Sequence, residues 1–473
     1  MHQFVHGIEW ITGYFYIGLM VMLILVGLLL TISSRFVQFR YFARMFRVLK
    51  QATAREGNHV SPFQALVLSV AGRVGGGNII GVAVALTLGG PGAIFWMWVL
   101  ALIGMASSFF ECALAQLYKR SEPDGTYRGG PAYYILHGLK QPWMAVVFSV
   151  LLFITYGFCL NAFQSFAVAD TFNDAFSAPT WLIGLIMAVL VGLIIFGGVK
   201  RIASVTEFLV PIMAIGYILM AAFVLIKDID EVPGVLWSIV AHAVGLETAI
   251  AGGIGAAISQ GVRRGLLSNE AGMGSAPNVA AVAYARHPAS QGVIQSFSVF
   301  VDTIIMCTCT ATIILLADGT YPPDGQVAGL ALTQNALAEH IGIFAKYFVV
   351  IALLMFAFST VLYNYYLGET ALSALVGERR SVFVGFRIFI LVLIFVAAIL
   401  DLDTVLAFTD LSIGLMAMTN LFALLFLYKI ALRVLNDYDS QLKAGNDHPS
   451  LDTSKFEDLD IDRSAWADDE AYD

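Results

Sequence analysis

Long unbroken apolar runs dominate the chain and predict helices that cross a membrane. A spanning helix needs roughly 20 apolar residues, and lipid offers no partners to backbone N–H and C=O groups. The runs are continuous, whereas a membrane barrel would show alternating strands of about ten residues. We therefore predict an all-α polytopic membrane protein. Its eleven predicted transmembrane segments lie near residues 11–33, 63–89, 92–118, 143–171, 180–198, 205–226, 235–260, 291–317, 345–375, 382–400 and 404–432.

The composition supports a bilayer as the solvent. Hydrophobic residues make up 59% of the 473 residues and charged residues 13%, where a soluble domain carries about 25% charged residues. The apolar run from Ile11 to Ile32 is interpreted as a helix rather than a signal peptide, because no Lys or Arg precedes it.

The basic residues predict the orientation of the chain. With the N-terminus outside and the C-terminus inside, the predicted cytoplasmic segments hold 23 of the 26 Lys and Arg residues, if Arg387 and Lys429 near the cytoplasmic ends of their spans are included. An excess of Lys and Arg in cytoplasmic loops is the rule for such proteins. We expect a multi-pass protein of a bacterial-type cell membrane, which is the inner membrane in a Gram-negative cell.

Glycine clusters interrupt the second and seventh segments, at Ala71–Asn78 (AGRVGGGN) and Ala251–Ala257 (AGGIGAA). Glycine weakens a helix and permits unusual backbone angles. The two segments are five helices apart and so run in opposite directions, which predicts a 5+5 inverted repeat with two broken helices. Close helix packing through small residues is the alternative.

This pattern divides the chain into five parts. We expect an extra N-terminal helix (1–33), a basic cytoplasmic loop (34–62), two repeats of five helices (63–226 and 235–433) and an acidic, disordered cytoplasmic tail (434–473). The tail is assigned as disordered because it is rich in Asp and Glu and poor in apolar residues.

The glycine-rich breaks are the candidate binding site. A broken helix exposes N–H groups that attract anions, so Gly75, Gly76 and Gly77 are predicted to hold a substrate carboxylate. The carbonyl groups of the seventh segment, at Gly252, Gly253 and Gly255, are candidates for a cation or an ammonium group.

Three polar side chains in apolar segments are further candidates. Ser359 and Thr360 are cation ligands in one interpretation and bond back to their own helix in the other. Gln164 bonds either the substrate or another helix.

Ionisable residues within the apolar segments are functional candidates by default. They are Arg73, Glu111, Glu247, Asp302, Glu369 and Asp410. Asp302 either helps to bind a cation or pairs with Arg73, and Glu270, in a loop predicted at the cytoplasmic mouth, is a candidate gate residue. No catalytic constellation, cofactor motif or nucleic-acid-binding pattern is present in the sequence.

Several long motifs resemble the alanine or glycine:cation symporter family. They are VGGGNIIGVAVALTLGGPGAIFWMWVLALIGMASSFFECALAQLYK, YRGGPAYYI, GLLSNEAGMGSAP, FVDTIIMCT and FSTVLYNYYLGETAL, and they extend from about residue 60 to 375. The resemblance implies a leucine-transporter-type fold and uptake of alanine or glycine driven by sodium, and less often by protons.

The resemblance also implies roles for individual residues. Gly75, Gly76 and Gly77 would contact the carboxylate with Asn78 near the same bend, and Gln164 would line the pocket. The carbonyl groups of Ala71 and Val74, with Ser359 and Thr360, would form a sodium site. Many members read TVGTGN at the bend, where this chain has Arg73 and Gly76. A proton-coupled symporter, a passive facilitator or channel, and an amino-acid sensor are the alternative functions.

Overall fold

The computed structural model describes residues 2–51, 60–122, 125–246, 253–317, 330–377, 379–400 and 402–466. Twenty α-helices make up nearly all of this part of the chain. They are α1 (His2–Ser33), α2 (Val37–Arg40), α3 (Phe42–Gln51), α4 (Pro62–Arg73), α5 (Val82–Gly89), α6 (Gly92–Leu117), α7 (Pro131–Tyr133), α8 (Pro142–Ile154), α9 (Leu160–Phe176), α10 (Thr180–Ile195), α11 (Gly198–Lys227), α12 (Val232–Ala243), α13 (Gly253–Asn269), α14 (Ala276–Ala280), α15 (Pro288–Val299), α16 (Thr308–Leu315), α17 (Leu330–Ile341), α18 (Phe344–Val376), α19 (Arg380–Ala397) and α20 (Leu402–Lys443).

Shorter elements connect these helices. Strands β1 (Arg120–Ser121) and β2 (Tyr127–Arg128) pair in antiparallel fashion. The π-helical turns are Gly77–Gly81, Tyr134–Gly138, Thr155–Cys159 and Phe300–Cys307, and the 3₁₀ turns are Thr453–Phe456 and Arg463–Trp466.

The helices confirm a polytopic membrane protein. Eight helices of the described chain are long and apolar enough to cross a bilayer, and a bent pair, Pro62–Arg73 with Gly77–Gly89, makes a ninth. Helix α10 and the pair α12–α13 would complete the eleven predicted crossings, but α10 has 16 residues, α12 has 12 and α13 has 17, and each of these is short for a span. The count of eleven stays a prediction.

The first broken helix lies where the glycines predict it. Ser61 begins α4 with a capping box, in which its side chain accepts a hydrogen bond from the Gln64 N–H. The helix ends at Arg73, and the backbone is extended at Val74 before the π-helical turn that leads into α5. The two halves meet at 48°. All residues from Ala65 to Thr87 are buried, so this bend lies inside the protein.

Part of the second predicted break, residues 247–252, lies outside the described residues. Helix α12 ends before this stretch and α13 begins after it, so the predicted segment 235–260 contains most of α12 and the beginning of α13. The chain also opens at 270–275, between α13 and α14, where Glu270, Gly272 and Gly274 have positive φ angles. Glycine adopts such angles without strain. We call this opening, which lies in the predicted mouth loop, the second break.

Two arginines predicted in a cytoplasmic loop belong to α13 instead. Arg264 is buried and its Nη2 lies 2.7 Å from Oδ2 of Asp410 on α20. Arg263 lies over the ring of Tyr16 on α1, at 4.7 Å. Ion pairing and stacking offset the cost of burying these two charges.

The acidic tail is folded as far as the described residues extend, to Trp466, in contrast to the predicted disorder. Helix α20 continues to Lys443, and the apolar side chains of Leu451, Phe456, Ile461 and Ala465 are buried. These four residues are spaced through a strongly charged stretch, and their burial supplies the hydrophobic contacts that the average composition conceals. The predicted loop 34–62 likewise contains α2 and α3.

Ion pairs fix the tail to neighbouring elements. Asp460 lies 2.9 Å from Arg120 and 2.7 Å from His137, and the hydrogen bonds from His137 and Arg120 hold the pKa of Asp460 below its ordinary value. Asp458 lies 2.7 Å from Arg433. The Leu451 N–H donates to the Arg286 carbonyl at 2.9 Å. We call the side of the protein that carries these contacts the tail side.

Hydrogen exchange tests this ordering. We expect peptides from 451–466 to exchange more slowly than an unstructured chain, since their amides are hydrogen-bonded and packed. Phe456→Ala should abolish the protection by removing a buried ring, while Glu457→Ala, at an exposed neighbouring position, should preserve it. Exchange of the unaltered tail at the rate of a free peptide would contradict the packed arrangement.

Candidate functional site

Two main-chain donors at the first break meet side-chain amide oxygens. The Gly75 N–H donates to Oδ1 of Asn78 at 2.8 Å, and the Gly76 N–H donates to Oε1 of Gln164 at 3.0 Å. All four residues are buried. An amide oxygen and a carboxylate oxygen are both hydrogen-bond acceptors, so the opened backbone offers donors of the kind that a carboxylate needs.

Space at the bend is tightest at Gly75 and increases towards Gly77. A Cβ atom on Gly75 would lie 2.6 Å from Oγ1 of Thr360, and one on Gly76 would lie 3.0 Å from Oε1 of Gln164 and 3.1 Å from the Phe163 ring. At Gly77 a Cβ would meet the Leu267 carbonyl oxygen of α13 at 3.4 Å. The glycines therefore let α9, α13 and α18 approach the opened backbone.

The Thr360 hydroxyl contacts the two carbonyl groups, of Ala71 and Val74, that the family resemblance groups with it. Its Oγ1 donates to the Ala71 oxygen at 2.7 Å and lies 3.4 Å from the Val74 oxygen. The Ser359 hydroxyl donates to the Phe356 oxygen of its own helix at 2.9 Å and lies 3.7 Å from Sδ of Met213 on α11. The structure thus brings Ala71, Val74 and Thr360 together and leaves Ser359 outside this cluster. Oxygen atoms such as these are the ligands that hard cations prefer.

A buried carboxylate connects the bend to the second broken helix. Asp302 accepts hydrogen bonds from Nδ2 of Asn78 at 2.6 Å, Oγ of Ser268 at 2.9 Å and Oγ1 of Thr303 at 2.7 Å. Asn78 lies in the first broken helix and Ser268 at the end of α13. A hydrogen-bonded network therefore couples the two breaks.

The predicted pairing of Arg73 with Asp302 is not formed. Arg73 donates to the hydroxyl groups of Ser108 and Ser298 and to the Gln295 oxygen, and no carboxylate in the described part of the chain lies within 4.0 Å of it. Backbone and hydroxyl acceptors thus satisfy this buried guanidinium.

Glu270, the candidate gate residue, forms hydrogen bonds with hydroxyl groups and no ion pair with an arginine in the described part of the chain. Its carboxylate accepts hydrogen bonds from the hydroxyl groups of Ser275 at 2.7 Å and Tyr363 at 3.1 Å. It connects the second break to α18, whose Thr360 contacts the first break. The predicted gate residue is therefore part of the packed centre.

Sequence reasoning missed the importance of Glu111. Its carboxylate accepts hydrogen bonds from the N–H groups of Gly272 at 3.3 Å and Gly274 at 3.2 Å, and from Nδ2 of Asn420 at 2.8 Å. Glu111 lies on α6 and is fully buried, and its hydrogen bonds stabilise the non-helical backbone of the second break. An acid within an apolar run was the available signal, but the position of the break was needed to interpret it.

The other glycines of the predicted second break lie elsewhere. Gly253 and Gly255 form the first turn of α13, which is not buried, and a Cβ on either would meet no atom within 4 Å. Leu267 and Ser268, at the other end of that helix, are the residues that approach Gly77. Gly252 and Glu247 fall outside the described residues.

A helix that is broken at a buried polar centre, within a bundle of apolar spans, is typical of a secondary transporter. A family model described as "Sodium:alanine symporter family" matches residues 1–453. The chain belongs to this family of sodium-coupled amino-acid symporters, which confirms the resemblance read from the sequence and makes the protein a transporter rather than an enzyme.

Curated relatives agree with this assignment. The chain is 46% identical to "Probable sodium/glutamine symporter GlnT" of Bacillus subtilis, over 91% of this chain and 89% of that protein. It is 46% identical to "Amino-acid carrier protein AlsT" of the same organism, over 90% of each chain. It is 36% identical to "Sodium/proton-dependent alanine carrier protein" of Bacillus sp. PS3, over 87% of this chain and 95% of that protein.

A solved structure shares the fold. The transporter MhsT in complex with L-phenylalanine matches with a TM-score of 0.55 and 14% identity, over 81% of this chain and 99% of that one. Identity this low shows the fold alone, which is of the leucine-transporter type.

Removal of the Glu111 carboxylate tests how the second break is held. Glu111→Ala leaves two buried N–H groups without an acceptor, and we expect the free energy of unfolding to fall by about 2–5 kcal/mol. Denaturation in detergent measures this change. Ser107→Ala, one turn away on the same helix, should change stability little. Equal stability of the Glu111→Ala variant and the unaltered protein would show that the carboxylate does not support the break.

Proposed function

We propose that the protein imports a small neutral amino acid, alanine or glycine, together with sodium. The observation that carries the proposal is the pair of main-chain donors, Gly75 and Gly76, that bond amide oxygens beside the Thr360 hydroxyl. Membership in the sodium:alanine symporter family supports the coupling ion.

In this mechanism Gln164 holds the place of the substrate. Its Oε1 occupies the acceptor position at the Gly76 N–H, and the incoming carboxylate replaces it there and gains the N–H of Gly77 as a further donor. The hydrogen bond to the carboxylate resembles the hydrogen bond to Gln164 that it replaces. The buried N–H group therefore has an acceptor both before and after the substrate binds. Asn78 and Gln164 thereby keep the bend satisfied between transport cycles.

Sodium binds where α4 meets α18. The Thr360 hydroxyl turns its lone pairs to the ion, and the Ala71 and Val74 oxygens that now accept its hydrogen bond become ligands. The bound ion fixes the extended residue Val74 and so orders the neighbouring donors. This order raises the affinity for the amino acid, which is the coupling that symport requires.

Transport follows the alternating-access scheme of inverted-repeat transporters. We propose eleven crossings with the N-terminus outside and the tail side in the cytoplasm, as the basic residues indicate. The two broken helices move relative to α6, α15 and the other helices that pack against them. The Asn78–Asp302–Ser268 network makes both breaks move together.

Proton coupling is the second candidate for the driving ion, and glutamine is a further candidate substrate. Both are favoured by relatives that carry the names of a sodium/proton-dependent alanine carrier and a sodium/glutamine symporter.

Uptake of labelled alanine, glycine and glutamine into proteoliposomes separates these choices when the sodium and proton gradients are imposed one at a time. Uptake that only dissipates the gradient of the amino acid would instead identify a passive facilitator.

The two neighbouring hydroxyl residues of α18 should differ in their effect on sodium. Thr360→Val removes one oxygen ligand at constant shape, and we expect the sodium concentration for half-maximal uptake to rise about tenfold, equivalent to ~1.4 kcal/mol. Ser359→Ala removes a hydroxyl that contacts its own helix and should leave this concentration unchanged. The same sodium curve for both variants and the unaltered protein would remove Thr360 from the ion site.

Space at the bend gives another prediction. In Gly75→Ala the new methyl group would lie 2.6 Å from Oγ1 of Thr360, which displaces the hydroxyl and blocks the donor. We expect uptake to fall at least about tenfold while the protein inserts normally. Gly216→Ala on α11, where a Cβ meets no atom within 4 Å, is the matched control. Undiminished uptake by Gly75→Ala would refute the role of this backbone.

A further inference from the structure

We propose that a polar cavity at the tail side, outside the transport pathway, binds the phosphate group of an anionic phospholipid. The cavity has a volume of about 240 Å³, several times the roughly 30 Å³ that a water molecule occupies in the liquid. It lies between the chain that leaves α1 and the last turns of α20. Its polar lining includes Ser34, Arg35, Arg40, Asn436, Asp439 and Lys443.

The charges of this cavity favour an anion. Asp439 lies 2.9 Å from Arg40, so that pair is neutral. Arg35 and Lys443 form no ion pair with any residue in the described ranges. Two positive charges are therefore free to bind a ligand, and the phosphate group is the anionic part of a phospholipid headgroup.

The backbone turns sharply at Arg35, where the chain leaves α1. Helix α1 ends at Ser33, and Arg35 and Phe36 then adopt φ angles of 56° and 59°. This left-handed turn is unusual for residues with a Cβ atom. Phe36 is 52% exposed and Phe39 is 57% exposed, and aromatic side chains that face outwards beside basic residues are typical of the membrane–water interface.

The exposed face of α1 leads directly to the cavity. Val21, Leu25, Leu28 and Ile32 are exposed at helical spacing, and Ile32 precedes Arg35 by three residues. Acyl chains can lie along this apolar stripe while the headgroup enters the cavity. A soluble phosphate would gain nothing from the stripe, so the arrangement favours a lipid. Basic pockets between helices at the cytoplasmic surface are known to bind anionic headgroups.

Native mass spectrometry of the full-length protein in mild detergent tests the site with phosphatidylglycerol as the probe. Each cation near an anionic headgroup contributes about 1 kcal/mol, or about fivefold in affinity. Arg35→Gln with Lys443→Gln should therefore weaken retention of phosphatidylglycerol roughly 25-fold. The matched control, Arg379→Gln with Arg380→Gln, removes two exposed cations at the start of α19 and should retain the lipid as the unaltered protein does.

Two further arms identify the ligand. Phosphatidylcholine should be retained weakly and equally by all three proteins, and inorganic phosphate should not displace phosphatidylglycerol at equal concentration. Far-UV circular dichroism and gel filtration confirm that each variant is folded. Equal retention of phosphatidylglycerol by the folded cavity variant would overturn the proposal. Binding of inorganic phosphate at this site without retention of phosphatidylglycerol would overturn the assignment to a lipid.

Discussion

An unsatisfied backbone N–H inside a membrane is costly, and this requirement determines the centre of the protein. Lipid and apolar side chains supply no acceptors, so a helix that opens must find them in its neighbours. At the first break Asn78 and Gln164 accept from Gly75 and Gly76. At the second break Glu111 accepts from Gly272 and Gly274. The hydrogen-bond acceptors at the two breaks differ, because the amide oxygens at the first break are neutral and the carboxylate at the second break is charged.

This difference suggests a division of roles between the breaks. A neutral amide oxygen is readily exchanged for a substrate carboxylate, since the donors gain a charge-assisted bond in return. A buried carboxylate that accepts three hydrogen bonds is held more strongly. The first break is therefore suited to ligand exchange and the second to maintaining a fixed shape. The Asp302 hydrogen bonds connect the two breaks.

The sequence predicts the first break well because its signal is local. Three consecutive glycines, Gly75–Gly77, in an apolar segment mark an opened helix. The contact of Thr360 with the Ala71 and Val74 carbonyl groups was implied by the family resemblance and not by a local pattern. The opening at 270–275 has no comparable local signal, because its glycines, Gly272 and Gly274, are not consecutive and only their backbone angles mark the turn. The role of Glu111 depends on contacts with residues more than 150 positions away, which no local pattern contains.

The tail shows a related limit of composition. Its net charge predicts disorder, whereas Leu451, Phe456 and Ile461 are buried and its acidic side chains meet specific cations. The average hydrophobicity of the tail is low and does not show that a few apolar residues are spaced so that they can be buried together. Similarly, the charge count that predicts orientation included Arg263 and Arg264, which the structure places in α13.

A structure determined in lipid with sodium and alanine present tests the central claim most directly. The account predicts the alanine carboxylate about 3 Å from the N–H groups of Gly75–Gly77, with Oε1 of Gln164 displaced from Gly76. A continuous helix through these glycines, or alanine bound away from them, would contradict it.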